Sequence, residues 1–407
     1  MTNRSSSLET DAAETVSRLN PLKTGSLGEI ARAFLRLGLV AFGGPAAHIA
    51  LMEEEFVRRR KWLAHEEFVD RLGAVNLLPG PNSTEMAIYL GELRGGFRGL
   101  LTAGACFILP AALMTLALAW AYVRYGARPQ LAGVLWGVKP VVVVLLAQAI
   151  WALAKTALKS RELAFLGAVV FALAALGAPT LPLLIGTGVA WIVANRSGTR
   201  PAGASALAAL RLEGTLSSNR AAVAAGAAGA AAVTGSALLF YFLKIGALLF
   251  GSGYVLMAVL REDLVERLHW LGQPQLLDAL AVSQATPGPF FTVATFLGYF
   301  LGGWRGAVLA TLGMFVPAFA YVALTANVLP QMRKSPAAGA FLDGVNAAAV
   351  ALMAFVGFEF AREVATSPSA VILGVVAAVV VFLFRVNSAW VVLGGALAGM
   401  VTKLVAR

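Results

Sequence analysis

The sequence has little charge and almost no cysteine for its length. Of its 407 residues only 13% are Asp, Glu, Lys or Arg, whereas soluble globular chains carry about 25%. The single cysteine, Cys106, excludes a disulfide framework and a multi-cysteine metal site. The apolar fraction is 59% and the mean hydropathy is +0.77, which excludes the soluble and disordered classes. We therefore expect an integral membrane protein, and the length allows roughly ten helices of about 20 residues.

The formal net charge of +11 and the pI near 10.1 do not indicate a nucleic-acid partner. The basic residues stand at the ends of apolar runs, where they set membrane orientation, and no basic block is interleaved with stacking aromatics. In the second half, Glu266-Arg267-Leu268-His269 replaces the basic block Arg58-Arg59-Arg60-Lys61, which favours an inverted second half. Arg305, Arg362 and Lys403 argue against that inversion.

Apolar segments divide the chain into two groups of four predicted spans. The first group runs at about 99–123, 131–157, 162–177 and 179–195, and the second at about 306–329, 337–360, 369–384 and 388–404. Residues 1–26 form a polar tail that lacks the apolar core of a signal peptide. We predict a first repeat at 27–195, a basic linker with a leading helix at 196–235, and a second repeat at 236–407.

Rare residues recur in one register, 207 or 208 positions apart, which indicates an internal duplication. Duplicated membrane units are common in transporters, where two halves enclose a site at their interface. A duplicated scaffold without transport is the alternative, and it explains less well why glycine, proline and charge recur at membrane depth. The matches are Phe34-Leu35-Arg36-Leu37-Gly38 with Phe242-Leu243-Lys244-Ile245-Gly246, Trp62-Leu63 with Trp270-Leu271, Pro79-Gly80-Pro81 with Pro287-Gly288-Pro289, and Gly95-Gly96-Phe97-Arg98-Gly99 with Gly302-Gly303-Trp304-Arg305-Gly306.

Both repeats carry a Pro-Gly-Pro sequence where an uninterrupted span would have leucine. The first proline ends a helix, glycine permits a turn, and the second proline fits the first position of the next helix. We predict broken or re-entrant helices whose N-termini present unpaired N–H groups, so that the two ends form an anion cage between the repeats. Structural kinks without a ligand are the alternative. The predicted binding residues at the breaks are Pro79, Gly80, Pro81, Asn82, Ser83, Thr84, Thr286, Pro287, Gly288, Pro289 and Thr292.

Three basic residues within apolar stretches are further predicted substrate contacts. Lys139 stands well inside a span, at a cost of about 2.5–3.5 kcal/mol on insertion scales, so it is expected to face a partner, a cavity or an anion. Its counterpart in the second repeat is Asn346. Arg36 and Lys244 occupy matching positions in the first helix of each repeat, with snorkelling to the membrane interface as the alternative to ligand contact.

Glu85, one turn after the first Pro-Gly-Pro, is the predicted proton-coupling residue, because a carboxyl in a low-dielectric cavity can carry a proton. No catalytic residue, cofactor or metal is predicted. His48, His65 and His269 stand at unmatched repeat positions without metal-ligand spacing. A Walker loop, a hydrolase nucleophile elbow and a zinc-protease motif are all missing from the sequence.

Taken together these motifs resemble those of the chromate ion transporter family, in its long form with two halves. The resemblance implies efflux of chromate from the bacterial cytoplasm, driven by the membrane potential or a proton gradient, with halves of opposite orientation. Phe290-Phe291 replaces the polar Asn82-Ser83 after the second break, so the two halves are expected to contribute unequally. The resemblance covers about residues 27–404 and rests on Phe42-Gly43-Gly44-Pro45, the Glu-rich stretch running to Trp62, Asn76-Leu77-Leu78-Pro79-Gly80-Pro81, Phe250-Gly251-Ser252-Gly253-Tyr254 and Gln284-Ala285-Thr286-Pro287-Gly288-Pro289.

We therefore predict an all-α, multi-pass protein of the bacterial inner membrane that exports chromate by secondary transport. Its predicted partners are the transported anion and the lipid bilayer, and the sequence allows a homodimer. Uptake or exchange of sulfate stays an alternative, because sulfate presents the same four oxygens. A membrane-embedded enzyme that uses Glu85 or an aspartate is a second alternative, and a structural or assembly scaffold is a third.

Overall fold

The computed structural model describes residues 25–126, 129–196, 233–251, 253, 255–326, 335–384 and 386–405. Most of the predicted polar tail at 1–26 and of the predicted linker at 196–235 lies outside these ranges. Within them every regular element is helical, which confirms the predicted all-α class.

The first repeat contains seven α-helices in the described ranges. Two of them begin at a hydroxyl N-cap, because the side chains of Ser26 and Ser160 accept hydrogen bonds from N–H groups of the first turn. A π-helical turn, Glu54–Arg59, continues the second helix. The helices are α1 (Leu27–Val40), α2 (Gly44–Glu53), α3 (His65–Val75), α4 (Asn82–Tyr125), α5 (Pro129–Ala157), α6 (Arg161–Ala175) and α7 (Thr180–Arg196).

The second repeat has the same order of helices. Thr234 and Ser367 cap the helices that correspond to α1 and α6, and a π-helical turn, Arg261–Arg267, again follows the second helix. The helices are α8 (Gly235–Leu248), α9 (Val255–Leu260), α10 (Gln273–Ala285), α11 (Val293–Thr325, preceded by the 3-10 turn Phe290–Thr292), α12 (Pro336–Val364), α13 (Pro368–Phe382) and α14 (Ser388–Val405).

Backbone conformations that few residues adopt recur at equivalent positions of the two repeats. Gly96 has φ 59° and ψ −153° within α4, and Gly303 has φ 61° and ψ −152° within α11. This region is essentially confined to glycine. Lys61 and His269, 208 positions apart, both have φ 50°. The duplication read from the sequence is therefore visible in the backbone.

Only four of the eight predicted spans have spanning length among the described residues. These are Asn82–Tyr125, Ala132–Ala157, Phe290–Thr325 and Pro336–Val364. The other four predicted spans correspond to α6, α7, α13 and α14, which have 15 to 18 residues and are thus about 22–27 Å long, less than the ~30 Å hydrocarbon core. Whether these four shorter helices also cross the membrane stays a prediction. Between α6 and α7 the chain turns at Gly177, which has φ 86°, and Pro179 follows.

The two repeats are interlocked rather than side by side. The short helices α6 and α7 of the first repeat pack on α12 of the second, and α13 and α14 pack on α5 of the first. The backbones touch at these crossings, since a Cβ atom on Gly137 would overlap the Gly395 carbonyl oxygen, and one on Gly344 would lie 2.7 Å from the Thr187 carbonyl oxygen. Neither repeat can therefore form its packing alone. The relative orientation of the halves stays a prediction.

Candidate functional site

Both Pro-Gly-Pro sequences interrupt helices, as predicted. The first lies between α3 and α4, and the second lies between α10 and the turn that precedes α11. Pro81 and Pro289 occupy the N-cap, one position before the predicted first helical position. Gly80 has φ 137° and Gly288 has φ 94°, so the central residue of each break adopts a conformation that favours glycine.

Each break is docked on the other repeat by its glycine. The Gly80 N–H donates to the carbonyl oxygen of Leu249 at 2.7 Å, and the Gly288 N–H donates to that of Ala41 at 2.8 Å. Ala41 and Leu249 are equivalent positions at the ends of α1 and α8. These two N–H groups are therefore not available to an anion, which corrects that part of the predicted cage. The breaks instead tie the two repeats together.

A cavity of about 770 Å³ lies at the first break, between the two repeats. The first repeat contributes residues of α2, α3, the start of α4 and the end of α5. The second repeat contributes Gly251, Gly253 and one face of α12 between Gly339 and Val350. The polar and charged lining residues are Asn76, Asn82, Ser83, Thr156, Lys159, Asp343 and Asn346. Of the predicted binding residues, the cavity thus brings together Asn82 and Ser83.

The backbone N–H groups at the start of α4, next to this cavity, differ in their partners. The N–H groups of Thr84 and Glu85 donate to the Pro81 carbonyl oxygen, at 2.7 and 3.0 Å. Those of Asn82 and Ser83 have no backbone acceptor among the described residues. They belong to the first turn of the α4 segment that precedes the bend at Gly95-Gly96, where unsatisfied N–H groups and the helix dipole favour negative charge. Asn82 and Ser83 thus line the cavity with N–H groups that have no backbone acceptor, and their role as anion donors stays a prediction.

The cavity wall carries one positive and one negative side chain. Lys159, just beyond the end of α5, and Asp343 of α12 form an ion pair with 2.7 Å between Nζ and Oδ1. The Lys159 side chain is 59% exposed and that of Asp343 is 32% exposed. An entering anion would therefore compete with Asp343 for the ammonium group. In the sequence Lys159 is one of the basic residues at the ends of apolar runs that indicate orientation, a pattern that does not predict its place in the cavity.

Ser83 is hydrogen-bonded to a buried histidine. Its Oγ lies 3.2 Å from Nδ1 of His48, and Nε2 of His48 lies 3.1 Å from the Ala41 carbonyl oxygen, the same oxygen that accepts the Gly288 N–H. We had considered His48 only as a metal ligand. The signal that could have found it is the repeat comparison, because His48 and Ser83 are replaced together by the apolar Leu256 and Phe291.

Two further polar side chains at the first break are buried and have no hydrogen-bond partner among the described residues. They are the Thr84 hydroxyl and both carboxylate oxygens of Glu85. Glu85 packs against the break itself, since a Cβ atom on Gly80 would lie 2.6 Å from its Oε1. An ionised carboxylate without a partner is costly to bury, so this group is suited to carry a proton.

Lys139 lies outside the cavity and has a carboxylate partner in the protein. Its Nζ is 3.0 Å from Oδ1 of Asp278 on α10, and the Tyr122 hydroxyl donates to Oδ2 of the same carboxylate at 2.9 Å. The ion pair with Asp278 accounts for a lysine within an apolar helix. The role of Lys139 as a substrate ligand stays a prediction. Asp278 was not singled out in the sequence.

Arg36 and Lys244 are not among the cavity-lining residues either. The Arg36 side chain is 62% exposed, and its Nη1 lies 4.0 Å from Oε2 of Glu55. Lys244 is exposed on α8. Both positions agree better with the snorkelling interpretation than with ligand contact.

The hydroxyls at the second break bond within the protein. Thr286 donates to the Ser283 carbonyl oxygen at 3.0 Å, and Thr292 donates to that of Pro289 at 2.9 Å. The Thr115 hydroxyl of the first repeat lies 3.4 and 3.3 Å from their Oγ1 atoms. Neither threonine lines the cavity at the first break. The two breaks therefore differ: polar residues after the first line the cavity, whereas the hydroxyls of the second bond within the protein.

Comparisons with known proteins agree with the architecture of two repeats. The family model described as chromate transporter matches residues 28–194 and 236–400, one region in each repeat. The chain is 31% identical over 383 residues to a chromate transport protein of Cupriavidus metallidurans, which covers 93% of this chain and 94% of that protein. It is 34% identical over 391 residues to a chromate transport protein of Pseudomonas aeruginosa, which covers 90% of each chain.

A more distant relative agrees with these two. The chain is 29% identical over 341 residues to a probable chromate transport protein of Synechococcus elongatus, which covers 81% of this chain and 83% of that protein. No solved structure matches the chain. With family regions in both repeats and apolar helices of spanning length, this multi-pass membrane protein belongs to the chromate transporter family.

Proposed function

We propose that the protein exports chromate across the bacterial cytoplasmic membrane as a secondary transporter, and that the anion binds in the cavity at the first break. The observation that carries this proposal is the cavity itself. It lies between the repeats, and its wall includes the start of α4, the side-chain amides of three asparagines and the Lys159 ammonium group. Sites between repeats, next to broken helices, are where such transporters bind their substrates.

The chemistry of the lining suits a tetrahedral oxyanion. The N–H groups of Asn82 and Ser83 lie at the positive end of α4, where anions are stabilised. The Asn346 amide, from the second repeat, supplies a further donor. Lys159 supplies the charge, provided that it leaves Asp343 for the anion. Lys159 would then pair with Asp343 in the free protein and with the anion in the complex. Because one ion pair replaces another, the anion would not be held too tightly to be released.

The remaining predicted residues have supporting roles in this proposal. The second break, Pro287-Gly288-Pro289, holds the end of α1 through the Gly288 N–H. The Lys139–Asp278 pair links the first repeat to α10, the helix that leads into that break. Changes at these positions are expected to affect stability or gating rather than anion affinity.

The membrane potential supplies the driving force for export. A charge that crosses the membrane changes in energy by about 2.3 kcal/mol per 100 mV. Export of a dianion is therefore favourable by about 4.6 kcal/mol per 100 mV of inside-negative potential. Uptake of the same dianion would cost as much and would need coupled cations. We assign proton coupling to Glu85, because it is buried next to the break without a partner.

Transport into inverted membrane vesicles tests the proposal. Radiolabelled chromate should accumulate when a lumen-positive potential is imposed, and it should not accumulate without one. Ser83→Ala and Lys159→Ala should slow accumulation at equal protein amount. Lys155→Ala is the matched control, because Lys155 lies four residues before Lys159 but stacks on Trp151 outside the cavity. Absence of potential-dependent accumulation would contradict export, and accumulation of sulfate alone would favour the sulfate alternative.

A further inference from the structure

A continuous hydrogen-bonded path connects the cavity with the second break. It runs from the Ser83 hydroxyl to Nδ1 of His48 (3.2 Å) and from Nε2 of His48 to the Ala41 carbonyl oxygen (3.1 Å). The same oxygen accepts the Gly288 N–H (2.8 Å). His48 is 1% exposed and Ser83 is 5% exposed, so water cannot easily replace either contact. Ser83 is the member of the path that lines the cavity.

The partners of His48 determine where its proton lies. A carbonyl oxygen only accepts hydrogen bonds, so Nε2 must carry the proton that is donated to Ala41. In a neutral imidazole Nδ1 is then bare, and it accepts the hydroxyl proton of Ser83. Because serine has a single hydroxyl proton, the Ser83 oxygen presents only lone pairs to the cavity. In this state Ser83 repels an oxyanion.

Protonation of His48 reverses this polarity. Both nitrogens of an imidazolium are donors, so Nδ1–H would donate to the Ser83 oxygen, and the contact with Ala41 would be kept. The Ser83 proton would then be free to donate to an anion oxygen in the cavity. The added positive charge would also offset one of the two charges of a dianion, where low dielectric strengthens their attraction.

We propose that His48 takes up a proton when an oxyanion binds, and that Ser83 is the donor that reports this protonation to the anion. The proposal rests on the function proposed above. By linkage, if the anion favours protonated His48, protonation favours the anion by the same factor. Affinity for a dianion should therefore rise as pH falls, by at most about tenfold per pH unit for one proton.

The surroundings of His48 leave Ser83 and Ala41 as its polar contacts. From α4 it faces the Ser83 hydroxyl and the edge of the Phe107 ring, and from the end of α1 it faces the Ala41 carbonyl. The titratable groups on these elements nearest to the contact residues are Glu85 and Cys106 on α4, Arg36 on α1, and Glu53 at the end of α2 itself. None of them is hydrogen-bonded to the imidazole among the described residues. With Leu256 and Phe291 at the equivalent positions, the second repeat has no such pair, which limits the uptake to one proton per anion.

Calorimetric titration of the purified full-length protein with chromate tests the proposal. In mildly alkaline buffers free chromate is the unprotonated dianion, and two buffers of different ionisation enthalpy report how many protons the complex takes up. Because burial lowers the pKa of the free His48 imidazole, the wild type and the control Lys155→Ala should take up a fraction of a proton per anion, and this fraction should rise as the pH is lowered. His48→Gln, whose amide can still donate to Ala41, and Ser83→Ala should bind more weakly and without proton uptake.

The outcomes separate this inference from the proposed function. Failure of the wild type to bind chromate would overturn both. Binding without proton uptake, or unchanged uptake in His48→Gln, would overturn the role of His48 alone. If His48→Gln fails to fold, proton uptake by Ser83→Ala equal to that of the wild type would overturn the role of His48 as well. Uptake that is lost in Glu85→Gln but kept in His48→Gln would assign the proton to Glu85 and contradict the proposal.

Discussion

Lys139 and Asp278 form an ion pair between the two repeats, with 3.0 Å between Nζ and Oδ1. Their side chains are 23% and 9% exposed. A lysine that is expensive to insert into a membrane is thus matched by an acidic residue 139 positions away, and the two positions depend on each other. The pair therefore offers a direct way to tell a structural lysine from a lysine that binds the substrate.

Removal of the lysine alone should destabilise the protein more than removal of both charges. Lys139→Met leaves the Asp278 carboxylate without its cation, at a cost of about 3 kcal/mol. Lys139→Met combined with Asp278→Asn should recover most of that loss in a thermal-unfolding measurement in detergent. The double variant should also transport chromate. Normal stability without transport in the double variant would instead support the ligand role of Lys139.

Alanine at the glycine breaks of α4 and α11 should destabilise both repeats to a similar extent. Gly96 and Gly303 adopt backbone angles that cost other residues about 1–3 kcal/mol. A Cβ atom there would meet nothing within 4 Å, so the cost arises from the backbone alone. Gly186→Ala and Gly394→Ala, in helices with equally open surroundings, are the controls and should be neutral or slightly stabilising in the same unfolding measurement. Equal effects at all four positions would contradict this explanation.

The charged pair of the cavity should give opposite effects on chromate affinity. Lys159→Ala removes the cation and should weaken binding about twofold to fivefold, a modest change because the side chain is largely exposed and screened. Asp343→Asn releases the same cation and should strengthen binding by a similar factor. Both effects should shrink as salt is raised. A titration in which the two variants shift affinity in the same direction would show that Lys159 does not meet the anion.

Glu85→Gln should keep the fold and reduce proton coupling. The carboxyl is buried without a hydrogen-bond partner, so a neutral amide of the same shape should fit with little change in stability. Chromate accumulation in vesicles should still respond to an imposed potential, and its response to an imposed pH gradient should fall to the part that His48 contributes. A pH-gradient response equal to that of the wild type would remove Glu85 from the coupling mechanism.

The repeat and the helix breaks could be predicted because they depend on residues with unusual backbone preferences. Proline and glycine recur in register, and a positive φ at Gly80 or Gly288 follows from local chemistry. The sharp bend at Gly95-Gly96 was matched between repeats but not predicted, because glycine pairs also serve helix packing. Hydropathy also located α6 and α7, since the predicted segments 162–177 and 179–195 agree with both helices and with the turn at Gly177 that separates them.

The residues of the site could not all be predicted from the sequence, because their contacts join positions that are far apart in the chain. Lys139 was recognised as costly, but its partner Asp278 belongs to the other repeat. Lys159 appeared to be an ordinary flanking residue until the interlocked packing brought α12 beside it. The role of His48 could not be predicted without knowing that it contacts Ser83, which lies 35 positions later. In the second repeat His48 and Ser83 are both replaced by apolar residues, and this paired replacement is the sequence signal of their contact.

The most direct test of the central claim is the position of chromate in a crystal of the full-length protein. Chromium scatters anomalously, so a difference map recorded near its absorption edge locates the bound anion without reference to the side chains. The account predicts a peak in the cavity at the first break, within hydrogen-bonding reach of Ser83, Asn346 and Lys159. A peak beside Lys139 or at the second break, with none in this cavity, would contradict it.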